Sequence, residues 1–253
     1  MEKTARGDVD GTAIEVRPAG ERFRTRLEWL DSRHSFSFGE HYDPRNVGHG
    51  LLLVSNDDVI AGGGGFGEHP HRDMEIVTWV LRGELRHRDS TGGEGVIYPG
   101  LAQLMRAGSG IRHSEMNASA TDEVHLVQMW VPPGRTGLAP GYDQSDVSDR
   151  LAGGGLVAIA AGPGGAPDPA LSIDTPGTTL WAGRLGADEV VTVFDAPRAH
   201  VFVALGDVVL DGAGALGQGD AARLRDAGER RVSAGAAGAE ILVWTTPALP
   251  IRS

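Results

Sequence analysis

Two short segments of the sequence each carry a pair of metal-binding side chains at alternate positions. The first, "HPHRDME", contains His69 and His71, and the second, "HSE", contains His113 and Glu115. In a β-strand, residues two apart project from one face about 6.6 Å from each other, so each pair is able to converge on one ion. Glu75 shares the parity of His71, so spacing alone leaves Glu75 and Glu115 both open as the carboxylate ligand.

The available ligand types restrict the chemistry of such a site. The chain contains no cysteine, which removes thiolate zinc sites, iron–sulfur clusters, disulfides and cysteine nucleophiles. Imidazole and carboxylate ligands suit Fe, Mn, Ni, Cu or Zn, and the ligand types do not select among these metals. Four protein ligands in an octahedral sphere would leave two positions for substrate, dioxygen or water. We therefore predict one mononuclear metal site with open positions.

The composition is that of an ordinary globular protein, with 40% hydrophobic and 23% charged residues in a chain of 253. The 38 glycines and 14 prolines supply many turns, which favours an all-β chain of short strands. The net charge of −11 disfavours broad contact with nucleic-acid phosphates. The N-terminal segment "MEKTARGDVDGTAIEVRP" lacks the apolar core of a secretory signal, and no run of about 18 apolar residues predicts a membrane helix. We expect a cytoplasmic protein that does not enter a membrane.

The second half of the sequence repeats the pattern of the first. The segment "VFVALGDVVLD" matches "VTWVLRGELRHRD" when Gly206 is aligned with Gly83, which predicts two copies of one β unit. The second copy has lost the candidate ligands. With this alignment Thr192, Phe194 and Arg198 stand opposite His69, His71 and Glu75. Superposing the Ala-Gly pairs at 107–108 and 227–228 places Ser233 and Gly235 opposite His113 and Glu115. One copy is therefore predicted to bind a metal and the other to serve the structure.

A segment rich in proline and glycine, "PPGRTGLAPGY" over 132–142, separates the two copies. Such a composition is typical of a connector. We predict an N-terminal metal-binding domain over 1–140 and a degenerate C-terminal domain without metal ligands over 141–253.

These motifs resemble a known family. The segment "GGGFGEHPHRDMEIVTWVLRGELRHRDSTGGEGVIYPG" is similar to the first motif of the cupin superfamily, although its Glu-to-Gly spacing is one residue longer than the commonest form. Together with "PGLAQLMRAGSGIRHSEMN", "QMWVPP" and "RHSFSFGEHYDP", it resembles the pirin family of bicupins. The resemblance implies an all-β bicupin, in which two β-barrel (jelly-roll) cupin domains face each other and the N-terminal barrel holds one metal.

The resemblance also implies a ligand set. By motif, the metal ligands fall on His69, His71, His113 and Glu115. In most cupins the glutamate of the first motif is a ligand, whereas in pirins the carboxylate comes from the HxE of the second motif. Glu75 is therefore expected beside the metal ligands, as a neighbour rather than a ligand.

The function implied by the resemblance is that of bacterial members, a quercetin 2,3-dioxygenase activity. Fe(II) is the expected native metal, with Mn, Ni, Cu and Zn as alternatives, and a flavonol and dioxygen are the expected substrates. The flavonol would bind at the metal through its 3-hydroxyl oxygen, and Glu115 or Glu75 would accept the proton. Phe36 and Phe38 alternate in "HSFSFGEHYDP" and are candidates for the mouth of the barrel, although such pairs are more often core.

The same ligands would serve two other functions. One is a non-enzymatic, iron-binding pirin that senses redox state and regulates a protein partner. The other is a cupin that acts on a sugar or a small acid, since a fold does not fix a function. We expect a monomer, with a protein partner under the regulatory alternative. The remaining histidines, among them His34, His41 and His87, are expected to be structural or to face solvent.

Overall fold

The chain folds almost entirely into β-strands. The structure, a computed structural model, describes residues 13–248. Its first half contains β1 (Ile14–Arg17), β2 (Phe23–Arg26), β3 (Leu30–His34), β4 (Val54–Ile60), β5 (Gly65–His71), β6 (Glu75–Arg82), β7 (Leu85–Asp89), β8 (Glu94–Ile97), β9 (Leu101–Arg106), β10 (Ile111–Asn117), β11 (Val124–Val131) and β12 (Gly141–Asp146). Its second half contains β13 (Val157–Ala161), β14 (Leu171–Ser172), β15 (Thr179–Leu185), β16 (Val190–Val193), β17 (Arg198–Leu210), β18 (Gly214–Gly217), β19 (Ala221–Arg225) and β20 (Arg230–Thr246).

Helical structure is confined to two short pieces within these described residues. They are the helix α1 (Ser148–Ala152) and a single 3-10 turn at Ala19–Glu21. Between residues 13 and 248, no helix has both the length and the apolar character that crossing a membrane requires. Residues 1–12, where the sequence predicts no secretory signal, lie outside the described residues. The prediction of an all-β fold is confirmed.

The N-terminal barrel is formed by two sheets that close around an interior. One sheet has the strand order β5-β10-β7-β8, and the other has the order β12-β9-β6-β11-β4-β3-β2. Strand β6 is buried along seven of its eight residues. A strand is mostly apolar along its length when both faces of its sheet are covered. One face of β6 lines the barrel, and the other packs against the second domain.

The C-terminal barrel repeats this connectivity. Its strands follow the order β19-β17-β20-β15-β13, which corresponds to β9-β6-β11-β4-β3 of the first barrel. The long strands β17 and β20 each take the place of two consecutive strands. Gly206 in β17 has a φ of +75° and Gly83 between β6 and β7 has a φ of +78°, so both glycines mark the same bend. The predicted repeat is confirmed.

The two barrels pack against each other through the largest apolar cluster of the described chain. This cluster combines Val77, Trp79, Met129 and other residues of the first barrel with Ile159, Phe202, Trp244 and others of the second. The indole nitrogen of Trp79 also donates a hydrogen bond of 2.7 Å to Glu240. The predicted arrangement of two facing barrels is confirmed.

Strand pairing corrects the domain boundary predicted at residue 140. Strand β12 pairs with β9, so the N-terminal barrel extends to Asp146. Strand β1 pairs with β19, so the beginning of the described chain belongs to the C-terminal barrel. Strand β12 thereby covers the β9 edge of the first barrel and β1 covers the β19 edge of the second, which protects both edges from non-native pairing.

Candidate metal centre

Two antiparallel strands, β5 and β10, bring three histidines together. His113 lies directly opposite His69, and His71 lies opposite the residue two before His113. The ring centroids of His69 and His113 are 4.4 Å apart, and that of His71 lies 4.8 Å from His69 and 4.9 Å from His113. One ring nitrogen from each histidine lies within 4.8 Å of the others, which places three lone pairs around one position.

The three histidines offer the free ring nitrogens that a metal ion needs. His69 Nδ1 lies 2.8 Å from the carbonyl oxygen of Gly67, which leaves Nε2 as the lone pair. His71 Nε2 and both nitrogens of His113 are buried without a hydrogen-bond partner. Burial lowers the pKa of His71 to about 4 and that of His113 to about 2, so both rings are neutral at pH 7. These residues fit a bound divalent metal ion, which requires neutral imidazole ligands.

Glu115 lies two residues after His113 on the same face of β10. Its carboxylate accepts hydrogen bonds from Gln128 Nε2 at 2.6 Å and from the hydroxyl of Thr78 at 3.4 Å. Burial raises the pKa of Glu115 to about 7. One carboxylate oxygen of Glu115 lies within 4.8 Å of ring nitrogens of His113 and His87. The carboxylate expected from the second motif is therefore beside the histidine cluster, with its oxygens turned towards Gln128 and Thr78.

His87 is part of the same interior, although sequence analysis did not select it. It lies on β7 directly opposite Glu115, its side chain is fully buried, and its Nε2 is 3.0 Å from Asp89. Burial lowers the pKa of His87, while Asp89 opposes that shift. The only sequence signal was the alternation in "HRD", and the position of His87 beside Glu115 follows from the strand register.

Glu75 lies elsewhere, which corrects the expectation that it borders the metal ligands. A turn at residues 72–74 separates β5 from β6, and Asp73 within it has a φ of +48°, so the parity of β5 does not continue into β6. Glu75 points to the face of β6 that contacts the C-terminal barrel. Its carboxylate accepts hydrogen bonds from the backbone nitrogens of Asp174 and Thr175 and pairs with Arg106 at 3.2 Å. We therefore assign Glu75 a structural role between the barrels.

A cavity of about 660 Å³ opens beside the histidines and is lined by His69, His71 and Glu115. Trp130 forms one wall, with its ring 4.9 Å from that of His71. Phe38 packs edge-on against Trp130 at 5.6 Å. Cavities of about 300–1,000 Å³ with mostly apolar walls are typical binding sites for small organic molecules.

The two candidate phenylalanines lie in different environments. Phe38 lines the cavity, whereas Phe36 is buried in the core between the barrels, where the guanidinium of Arg223 lies 4.7 Å from its ring centroid. Phe36 therefore does not contact a substrate in this cavity, which corrects that expectation. His34 and His41, which were expected to be structural or solvent-facing, also line the cavity.

Comparisons with known proteins point to one family. The family model described as Pirin matches residues 16–131. A Mycobacterium tuberculosis protein named provisionally as a quercetin 2,3-dioxygenase is 54% identical over 231 residues, which are 91% of this chain and 94% of that protein. Quercetin 2,3-dioxygenase of Escherichia coli is 50% identical over 131 residues, which are 52% of this chain and 57% of that protein. The crystal structure of the bacterial pirin YhhW from Escherichia coli in complex with nickel(II) is 36% identical, has a TM-score of 0.84, and covers 93% of this chain and 100% of its own.

Proposed function

This chain belongs to the pirin family of the cupin superfamily, and from this premise we propose that it is a metal-dependent dioxygenase that cleaves flavonols such as quercetin. The observation that carries the proposal is the convergence of three imidazoles beside a cavity of about 660 Å³. The names of the relatives support the flavonol as the substrate class.

We propose His69, His71, His113 and Glu115 as the metal ligands. We propose Fe(II) as the native ion. The nickel complex of the related YhhW protein supports a divalent ion in such a site. When bound, the ion would supply a positive charge that lowers the pKa of a hydroxyl group at an open position. The histidines would hold the ion while the cavity leaves one side open to substrate.

Glu115 is the group that we assign to accept the proton of the flavonol 3-hydroxyl. Glu115 lines the cavity, so its carboxylate lies where a hydroxyl group bound at the open side of the metal could reach it, as a general base requires. Gln128 and Thr78 hold the carboxylate by donating to separate oxygens, so its position is fixed before substrate arrives. Glu75 is not available for this step because its oxygens are used between the barrels.

The cavity walls suit a flat aromatic substrate. Trp130 and Phe38 both line the cavity, and the ring of Trp130 lies 4.9 Å from that of His71. Aromatic pairs prefer offset-stacked or edge-on contacts with centroids about 4.5–7 Å apart. At the far side, the ring of His34 lies between the hydroxyl of Thr25 and the side chain of Asn56, at 2.8 Å from each. These polar groups would orient the hydroxyl groups of a flavonol.

The size of the cavity also helps to distinguish an enzymatic function from a regulatory one. A protein that senses redox state through its metal and binds a partner at its surface needs no large cavity beside the ligands. The cavity of about 660 Å³ therefore favours a small-molecule substrate. The cytoplasmic location and the monomeric state remain predictions of the sequence.

A direct assay tests the proposal. Metal-free protein is loaded in turn with Fe(II), Mn(II), Ni(II) or Cu(II) and mixed with quercetin in air. We expect loss of the flavonol absorption band, consumption of one dioxygen per quercetin and release of carbon monoxide. The matched control is His113→Ala treated in the same way, which should leave the band unchanged. Absence of turnover with all four ions would reject the proposed activity.

A further inference from the structure

His87 is a fully buried histidine beside the candidate ligands. Its position on β7 is directly opposite Glu115 on β10, and its ring centroid is 5.3 Å from that of His113. Its Nδ1 is buried and has no hydrogen-bond partner. A buried polar atom without a partner is costly, so the position of His87 Nδ1 requires an explanation.

Asp89 determines which nitrogen of His87 carries the proton. One carboxylate oxygen, Oδ1, accepts hydrogen bonds from Thr91 N at 2.8 Å, Thr91 Oγ1 at 2.6 Å and Gly93 N at 3.1 Å. These bonds anchor the carboxylate, and Oδ2 then faces His87 Nε2 at 3.0 Å. A carboxylate accepts but does not donate, so Nε2 carries the hydrogen and Nδ1 keeps a lone pair.

The surroundings of His87 are shaped to enclose it. The ring of Tyr142 stacks on it with centroids 4.6 Å apart and an interplanar angle of 21°. Gly95 lies opposite His87 on β8, and a Cβ at that position would lie 2.0 Å from the hydroxyl oxygen of Tyr142. A Cβ at Gly93 would lie 2.3 Å from Asp89 Oδ2. The glycines of "TGGEG" thus allow Tyr142 and Asp89 to approach His87.

His113 lacks a hydrogen-bond acceptor for its second ring nitrogen, and His87 can provide one. A histidine that binds a metal through one nitrogen carries a proton on the other, and that N–H requires an acceptor. Both nitrogens of His113 are buried without a partner. The oxygens of Glu115 already accept from Gln128 and Thr78. His87 Nδ1 is a buried lone pair without a partner, and one ring nitrogen of His87 lies within 4.8 Å of one of His113.

We propose that His87 and Asp89 are positioning residues of the metal centre. Asp89 holds His87 in the Nε2–H tautomer, and His87 Nδ1 accepts the N–H of the metal-bound His113, directly after a small ring rotation or through one water molecule. The relay fixes the orientation of the His113 ring and raises its basicity. This inference rests on the metal centre of the proposed function and is independent of the flavonol.

A second metal ion between His87, His113 and Glu115 is the competing interpretation. It would require His113 to bind two ions at once, one through each nitrogen, and thus to lose both ring protons. The relay requires no such deprotonation. The number of ions bound per chain distinguishes the two arrangements.

Two variants test the relay through metal affinity. His87→Phe keeps an aromatic ring against Tyr142 but removes the acceptor. In Asp89→Asn, the amide oxygen takes the three anchoring bonds and the NH2 group faces His87 Nε2, which reverses the tautomer and places a hydrogen on Nδ1. We expect each variant to bind Ni²⁺ about tenfold more weakly or worse in chelator competition at neutral pH.

The matched control is His125→Phe, because His125 forms a similar pair with Asp57, at 2.6 Å, on β11 of the same barrel. Its Ni²⁺ affinity should stay within about twofold of wild type, which separates the relay from the general loss of a histidine–aspartate pair. Thermal unfolding of each variant shows whether it is folded before the titration.

The tautomer of His87 can be measured directly, and a purely structural role of Asp89 would not determine it. In Zn²⁺-loaded protein labelled with ¹⁵N-histidine, NMR should show His87 as the Nε2–H form in wild type and as the Nδ1–H form in Asp89→Asn. An Nδ1–H form in wild type would overturn the proposal. The proposal would also be overturned if both variants bound Ni²⁺ as tightly as wild type. It would equally be overturned if wild type bound two Zn²⁺ per chain and His87→Phe bound only one. None of these measurements uses a flavonol, so they are decided separately from the proposed activity.

Discussion

The hydroxyl oxygen of Thr175 lies 2.9 Å from the carboxylate of Glu75 and 2.7 Å from the carbonyl oxygen of Pro132, and its single hydrogen is shared between these two acceptors. Through these bonds, a loop of the ligand-free barrel is joined to the strand that follows His71 and to the connector between the barrels. Glu75 is fully buried, so its contacts cannot be replaced by water without a change in packing. The C-terminal barrel therefore contributes to holding the strands of the N-terminal barrel that carry the candidate metal ligands.

Replacement of Glu75 by glutamine should reduce stability and leave metal binding intact. The amide would present an NH2 group to backbone nitrogens that now donate to a carboxylate, at a cost of about 1–3 kcal/mol. Urea unfolding of metal-free protein measures the difference. Glu68→Gln is the matched control, because Glu68 forms an exposed pair with Arg112 at 2.7 Å on the neighbouring strand. Its loss should be below about 1 kcal/mol, and equal effects of the two variants would contradict the role of Glu75.

The buried carboxyl of Asp58, which lines the cavity, should give stability a defined pH dependence. Burial raises its pKa to about 7 from the ordinary 3.8. The folded state therefore holds a proton that the unfolded state has released, so the contribution of Asp58 is fully present below about pH 4 and is lost as pH rises through about 7.

Asp58→Asn removes this titration while the side-chain oxygen still accepts from Ser32. In metal-free protein, the unfolding free energy of wild type minus that of the variant should fall between about pH 4 and pH 7, by no more than about 1.4 kcal/mol per pH unit. Burial lowers the pKa of His49 to about 4, so His49 changes the unfolding free energy with pH in the opposite direction. His49 is present in both proteins, so its contribution cancels in the difference. A difference that stays constant with pH would show that Asp58 is ionised in the folded protein.

Phe38 should contribute to substrate binding without affecting the metal. Phe38→Leu removes the ring that packs against Trp130 on the cavity wall. Loss of one aromatic contact of about 0.5–1.5 kcal/mol predicts a KM for quercetin raised about two- to tenfold, with kcat nearly unchanged and one metal ion per chain. In Phe36→Leu, by contrast, we expect lower thermal stability and an unchanged KM. An unchanged KM in Phe38→Leu would exclude this wall as the flavonol site.

Much of the candidate site could be predicted from the sequence because its candidate ligands are local pairs. His69 and His71, like His113 and Glu115, lie on one face of a single strand, so two-residue spacing alone reports their direction. The turn before β6 is different, because Asp73 adopts a positive φ and reverses the face on which Glu75 projects. A parity argument holds only within one uninterrupted strand.

Other features depend on contacts between distant parts of the chain. His87 lies beside Glu115 because β7 pairs with β10 in one register, and no local pattern fixes that register. Strand β1 pairs with β19, about 200 residues further along the chain, and no composition shift marks this exchange. The repeat itself was visible because Gly83 and Gly206 share a backbone bend that favours glycine.

Metal content of a set of single variants tests the central claim most directly. Wild type, His113→Ala, Glu115→Ala and Glu75→Gln are loaded anaerobically with Fe(II), freed of excess ion and analysed for iron per chain, with circular dichroism to confirm folding. We predict one iron per chain in wild type and in Glu75→Gln, and loss of most iron in His113→Ala and Glu115→Ala. Full iron content in His113→Ala and Glu115→Ala together with loss in Glu75→Gln would contradict the assignment of the metal centre.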